Sequence, residues 1–331
     1  MGAASEPGRG PRRKQVSPVG EAAVAADTSS RSKPPPTSGA LAHGSRPRLR
    51  LPSDYPWLKA TVVGLTMFAV TWIFVTPGTW MAGTVPGHQQ RLEHLTQVIS
   101  AAFPVPSDVI TKYEHFPFVR FAHILGSSVW AAAAAVQVQG PQLPRYMHRA
   151  SAIVMLVFGI IVMAGFAAIE LQGLSTKSPD AGIRGHISAK LWVLCAWFLF
   201  TAFMAGRMGV RARRAWQAGV GGGRGGGGGV GGGSVASELQ ALRFEHSSWG
   251  LRHIASGIWV LVQRLLIGVY TAMAWAGILY TPARGDDVVR SRIFLDISTV
   301  AIVLCIGGTE AWLWAARRRG RTGLFRAGLR A

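Results

Sequence analysis

Apolar residues in this chain gather into six blocks, each about as long as a helix that crosses a bilayer. About 20 apolar residues in a helix span the hydrocarbon core of a membrane. The pattern therefore predicts an all-α integral membrane protein with six transmembrane helices, of which helices two to five form a four-helix core. The predicted spans are 57–75, 119–139, 150–171, 186–206, 253–280 and 293–314.

The segments outside these spans differ from them in composition. Residues 1–56 are rich in Ser, Pro, Ala and Arg, which predicts a disordered basic tail. The transmembrane domain is predicted over 57–316, interrupted at 207–245 by a flexible basic loop with twelve glycines in the fifteen residues 219–233. Residues 317–331 form a basic C-terminal tail.

The formal net charge is +20, and the placement of the basic residues decides what it means. Arginines and lysines crowd the two tails, the short second loop and the glycine-rich loop, while the other loops carry acids beside their bases. With six spans, the strongly basic segments all fall on one side, which is the positive-inside pattern. Both termini are therefore predicted to be cytoplasmic or equivalent, facing anionic lipid. This placement argues against a nucleic-acid partner. No secretory signal is expected near Met1, and an organelle transit peptide is left open.

Histidines lie at or near the N-terminal ends of four successive spans, namely His123, His148, His186 and the pair His246/His253. The predicted topology puts His123 and His186 toward the outer face, and His148 with His246 or His253 toward the inner face. Two facing imidazoles in a helical bundle can ligate the iron of a b-type haem. The pattern thus predicts two stacked haems b that carry electrons across the membrane. Interfacial histidines without a ligand are the competing interpretation.

Arginines near the same helices are the other candidates for chemistry. Arg264 belongs to a stripe of polar and small residues on helix five and lies roughly 16 Å into the span. A charge at that depth needs a partner, and candidates on nearby helices are Glu170, Asp296 and Glu310. Arg149, Arg252 and Arg264 are also expected to anchor haem propionates.

Three sequence features carry a family resemblance. They are His123 in a Gly/Ala-rich helix, the pair His148-Arg149, and His246-x-x-Trp249-x-x-Arg252 followed at helical distance by Arg264. Over roughly 119–280 the chain resembles a family of predicted multi-helix membrane proteins of unknown function. The resemblance implies a multi-helix membrane domain and no established reaction; it favours His246 over His253 and gives His186 no counterpart. The histidine layout is also similar to that of the ascorbate-reducing di-haem cytochrome b family, which implies transmembrane electron transfer.

Three functions follow from these patterns. The first is a haem-binding electron-transfer protein, in enzymatic terms a membrane oxidoreductase. The second is a cofactor-free transporter, channel or sensor that uses Arg264, the intramembrane acids and the histidines as a polar pathway. The third is a membrane scaffold with interfacial histidines. A reduced-minus-oxidised absorption spectrum separates the first function from the other two.

Overall fold

The computed structural model describes residues 54–75, 104–105, 116–174, 181–222, 232–282 and 286–328. Among these residues the secondary structure is helical and no strand forms, which confirms the all-α prediction. The long helices are α1 (Pro56–Val75), α2 (Pro117–Gln137), α3 (Arg145–Leu171), α4 (Ala181–Gly222), α5 (Gly232–Trp275) and α6 (287–328). One π-helical segment interrupts α2 at Arg120–Leu125, and another interrupts α6 at Val303–Gly307.

Five of the described helices have the length and apolar composition needed to cross a membrane. Their candidate spans are Pro117–Gln137, Arg145–Leu171, Gly185–Ala218, Glu238–Trp275 and Asp287–Arg318. The first predicted span falls on α1, whose apolar part is the shorter segment Pro56–Thr71. These lengths fit a multi-pass membrane protein.

Several helices extend beyond their apolar blocks. Helix α3 begins at Arg145, α4 continues to Gly222, and α5 begins at Gly232. The segment 207–245, expected to be a flexible loop, is therefore helical except for 223–231, which lie outside the described residues. Hydropathy marks only the apolar part of a helix, whereas Ala, Arg, Gln and Leu favour helix whatever their polarity.

The structure describes the two predicted tails to different extents. Of the tail predicted over 1–56, residues 1–53 lie outside the described residues, and α1 begins at Pro56. At the other end, α6 carries its helical backbone through most of the predicted basic tail, to Gly328.

Neighbouring helices run antiparallel, as contacts at both of their ends show. His123, near the start of α2, packs on Gly165 near the end of α3, and Gln137 at the end of α2 donates to Ser151 near the start of α3, at 2.9 Å. Helices α4 and α5 are paired in the same way. We name the end at which α2, α4 and α6 begin the outer end, and the opposite end the inner end.

One buried apolar cluster joins more helices than the predicted four. Its members include Trp130 on α2, Met155 on α3, Phe198 on α4 and Ile258 on α5. Helix α1 adds Leu58 and Val62 to this cluster, and α6 adds Leu313. Helices two to five therefore do not form the core alone: α1 and α6 cover apolar surface that the four would leave open.

Candidate functional site

A cavity of about 240 Å³ lies among α2, α3, α4, α5 and α6. It is nearer the outer end, because it is bounded by His123 close to the start of α2 and Ile169 close to the end of α3. Its wall is mainly apolar; the polar members are His123, Ser127, Lys190, Ser256, Gln263, Arg264 and Ser298. The volume exceeds the roughly 150 Å³ of a cavity that holds benzene. It falls below the roughly 300 Å³ at which sites for drug-sized ligands begin.

His123 enters the cavity wall from the π-helical segment of α2. Such segments are rare and often occur at functional sites, because the extra residue per turn changes the direction of a side chain. Its Nδ1 lies 3.2 Å from the carbonyl oxygen of Val162. A Cβ on Gly165 would lie 2.7 Å from the His123 backbone nitrogen, so only glycine permits this close approach of α3.

Three rings close the cavity toward the inner end, and we name Trp130, Phe198 and His253 the aromatic floor. Ring centroids are 5.4 Å apart for Trp130 and Phe198, 5.5 Å for Trp130 and His253, and 4.4 Å for Phe198 and His253. Trp130 and Phe198 line the cavity, while His253 lies behind them. The side chain of Trp130 fits because Gly257 has no Cβ; one placed there would lie 2.3 Å from the indole.

The hydrogen bonds of His253 define its role. Its Nε2 accepts from Trp130 Nε1 at 3.3 Å, and its Nδ1 lies 3.2 Å from the Phe198 carbonyl oxygen. A neutral imidazole has one donor and one acceptor nitrogen, and these two bonds use both. In this arrangement His253 has no lone pair for a haem iron, and it holds the aromatic floor together.

Two basic side chains lie in the cavity wall. Lys190 Nζ donates to Thr299 Oγ1 at 2.8 Å, and the guanidinium of Arg264 lies 6.0 Å from the ring centre of Phe294. Gln263 Nε2 donates to Ser298 Oγ at 2.5 Å beside them. The cavity therefore combines an apolar wall with a group of cationic and neutral hydrogen-bond donors.

The three acids predicted as partners of Arg264 each have a different environment. Glu170 accepts a hydrogen bond from Ser188 Oγ at 2.5 Å, and Asp296 is exposed. Glu310 pairs with Arg252 through two bonds, Nε to Oε1 at 2.5 Å and Nη2 to Oε2 at 2.8 Å. Arg252, expected to anchor a propionate, thus binds a carboxylate of the protein.

His148 and His246 lie at the inner end. His246 Nδ1 is 3.0 Å from the Ala205 carbonyl oxygen, and its ring lies on Gly209, where a Cβ would be 3.0 Å from Cε1. His148 lies near the start of α3, and its buried Nδ1 has no hydrogen-bond partner. A carbonyl that accepts from Nδ1–H leaves Nε2 free to ligate, which is typical of metal-binding histidine.

The remaining predicted site residues lie neither in the cavity nor beside the inner histidines. His186 is exposed at the start of α4 and is not among the cavity-lining residues, so the cavity holds one member of the predicted outer pair, His123. Arg149 is also exposed. Within the part of the chain that the structure describes, no group of three or more His, Cys, Asp or Glu side chains could hold a metal ion.

Sequence reasoning missed two features of the cavity. Trp130 follows His123 by two helical turns, so its position on the same face of α2 was readable, but its bond to His253 was not. Gln263 and Ser298 are single polar residues in apolar spans. Such residues tend to face the inside of a helical bundle, so their position could be predicted from the sequence.

Comparison with known proteins gives no family assignment. No protein-family model, no curated protein and no solved structure matches the chain. The cavity and the two inner histidines are therefore the features of this chain that indicate a function.

Proposed function

We propose that this chain is a multi-pass membrane protein that binds a small, largely apolar molecule in the cavity and acts as a sensor or transporter for it. One observation carries this proposal, a cavity with an apolar wall and a few convergent polar groups, closed on one side by the aromatic floor. Small-molecule sites commonly have this composition, and they commonly lie between the helices of a bundle.

The packing of the inner half of the bundle favours a closed binding site and disfavours an open channel. Below the aromatic floor lie buried apolar residues, including Ala134 and Met155. Nearer the inner end, Arg252 is 7% exposed and its bidentate pair with Glu310 joins α5 to α6. A continuous pore would need polar or water-filled space at these depths. These packed residues lie between the cavity and the inner end.

Membrane placement is part of the proposal. We propose that α1, a shorter apolar helix, makes a sixth crossing beside the five long apolar helices, so that both termini lie on the inner side. The basic ends of α4 and α6 and the start of α3 then share that side, as the positive-inside rule requires. These ends would lie against anionic lipid headgroups.

Filling the cavity is expected to abolish ligand binding. Val260 lines the cavity, so Val260→Trp puts an indole into the space that the ligand would occupy. Val269 is 48% exposed on the same helix, and Val269→Trp is the matched control. Radiolabelled 1-octanol is titrated against full-length protein in lipid nanodiscs, with empty nanodiscs subtracted. We expect saturable binding by wild type and V269W and none by V260W. Equal binding by all three proteins, or by none, would contradict the proposed site.

A second function is favoured by the inner histidine pair. His246 has the carbonyl-oriented ring of a metal ligand, and His148 has a buried ring nitrogen without a partner. We propose that these two residues would hold the iron of a single haem b, a cofactor that would supply one-electron transfer. His253 does not fit this role because both of its nitrogens are bound. The cavity does not suit a haem, because its volume is below that of a drug-sized site.

The haem proposal predicts a loss of absorption that is specific to the inner pair. Full-length protein made with haem supply should show a sharp b-type band in a dithionite-reduced minus oxidised spectrum. His148→Ala and His246→Ala should each remove the band, while His186→Ala, at an exposed position, should keep it. A featureless spectrum from folded wild type would exclude haem. Failure of both this test and the octanol test would leave the scaffold function.

A further inference from the structure

The hydrogen bonds within the cavity wall indicate the class of ligand that the proposed site would take. We propose that the ligand is a small neutral alcohol or phenol, whose hydroxyl group donates a hydrogen bond to the side-chain carbonyl oxygen of Gln263 while its apolar body fills the rest of the cavity. This proposal rests on the proposed function, because it specifies the molecule that the cavity binds.

Gln263 is a buried amide in the cavity wall whose carbonyl oxygen is unused. The residue lies on α5 and is 3% exposed. Its Nε2 donates to Ser298 Oγ at 2.5 Å, and its Oε1 accepts no hydrogen bond from the residues that the structure describes. A buried amide oxygen without a donor is costly in an apolar environment, so a ligand that donates to it gains affinity.

The orientation of this amide is set by Ser298. The Ser298 hydroxyl donates to the carbonyl oxygen of Phe294, one turn earlier in α6, at 2.6 Å. A hydroxyl has one proton, so the Ser298 oxygen can then only accept from Gln263. The amide nitrogen of Gln263 must therefore face Ser298, because the opposite orientation would place two acceptors against each other. The amide oxygen is left for a ligand.

The serines of the cavity wall are acceptors for the same reason. Each donates its proton to a carbonyl oxygen three or four residues earlier in its own helix, which leaves oxygen lone pairs and no proton for a ligand. These residues are Ser127, Ser256 and Ser298. The hydroxyl and amide groups of the described wall thus offer oxygen acceptors, and the complementary ligand is one that has a proton to donate.

A neutral hydroxyl compound meets this requirement. An ionised acid and an ether have no proton to donate, and a protonated amine would bury its charge against a wall that includes no carboxylate from the described part of the chain. A hydroxyl donates one hydrogen bond and adds little other polar surface. The cavity of about 240 Å³ is larger than one that holds benzene and smaller than a drug-sized site, which fits a short-chain alcohol or a substituted phenol.

The test compares 1-octanol with 1-methoxyheptane, an isomeric ether that has no hydrogen-bond donor. Both radiolabelled probes are titrated against full-length protein in phosphatidylcholine nanodiscs, with empty nanodiscs subtracted. Gln263→Met keeps the length of the side chain and removes the carbonyl oxygen. We expect it to weaken octanol by about three- to tenfold and to change the ether by less than about twofold. Gln172→Met, at an exposed position outside the cavity wall, is the matched control and should change neither affinity.

A second measurement uses wild type alone and so does not depend on the folding of a variant. Octanol should bind about threefold or more tightly than the ether, once each affinity is corrected for the partition of that probe into empty nanodiscs. Equal corrected affinities would overturn the hydroxyl class and keep the binding site, as would equal effects of Q263M on the two probes. Binding of neither probe by wild type would overturn the proposed function itself.

Discussion

Gly257→Ala should destabilise the protein by about 2–6 kcal/mol, although it adds only one methyl group. The new Cβ would lie 2.3 Å from the Trp130 ring, which is 4% exposed and bonded to His253. Overpacking of a core costs about 1–3 kcal/mol. Movement of the indole would also leave the buried His253 Nε2 unsatisfied, at a cost of about 1–3 kcal/mol. The measurement is the free energy of unfolding from an SDS titration in mixed micelles.

A matched glycine on the same helix controls for backbone effects. Gly268 is exposed, and a Cβ there would meet nothing within 4 Å. Gly268→Ala should be neutral or stabilising by up to about 1 kcal/mol, because alanine favours helix over glycine. If G257A and G268A are equally stable, Trp130 does not press on α5 and the aromatic floor is not packed as described.

Glu310→Gln should destabilise the protein by about 3 kcal/mol. It leaves the guanidinium of Arg252, which is 7% exposed and stacked on Trp249 at 4.6 Å, without its counter-charge. Removing one partner of a buried pair costs about 3–5 kcal/mol. The lower end applies here because Glu310 is 42% exposed and partly screened. The same SDS titration measures the change.

A second ion pair between the same two helices provides the comparison. Arg317 Nη2 lies 2.9 Å from Glu245 Oε1, and both side chains are more than a third exposed. Glu245→Gln should cost about 0–1 kcal/mol, as for other exposed pairs. The double variant Arg252→Gln with Glu310→Gln should recover part of the E310Q loss, because no buried charge is left alone. Equal effects of E310Q and E245Q would show that burial of Arg252 does not set the strength of its pair.

Helices were predictable from the sequence because their apolar blocks are long, but their ends were not. The block of helix five begins near His253, while the helix itself begins at Gly232. That difference of several turns changes the apparent depth of every residue on the helix. Because hydropathy places Arg252 at the edge of the span, it does not predict the pairing of Arg252 with Glu310.

The sequence predicts the candidate site only where the periodicity within a single helix determines which residues face the cavity. Of the polar and small residues in the stripe on helix five, Gly257, Val260 and Arg264 line the cavity, whereas Gly268 is exposed. The hydrogen bond between Trp130 and His253 depends on how two distant helices meet, and no periodicity within either helix contains that information. The π-helical turn at His123 is likewise a local departure that a 3.6-residue pattern does not reveal.

The most direct test of the cavity is photolabelling with a diazirine-bearing octanol, followed by peptide mass spectrometry of the full-length protein in nanodiscs. The structure predicts adducts on cavity-lining residues such as Met163, Cys195 and Val260, and their loss in the V260W variant. Adducts confined to exposed residues such as Leu265 and Val269, unaffected by V260W, would show that the probe meets only the lipid-facing surface. That result would contradict a binding site between the helices.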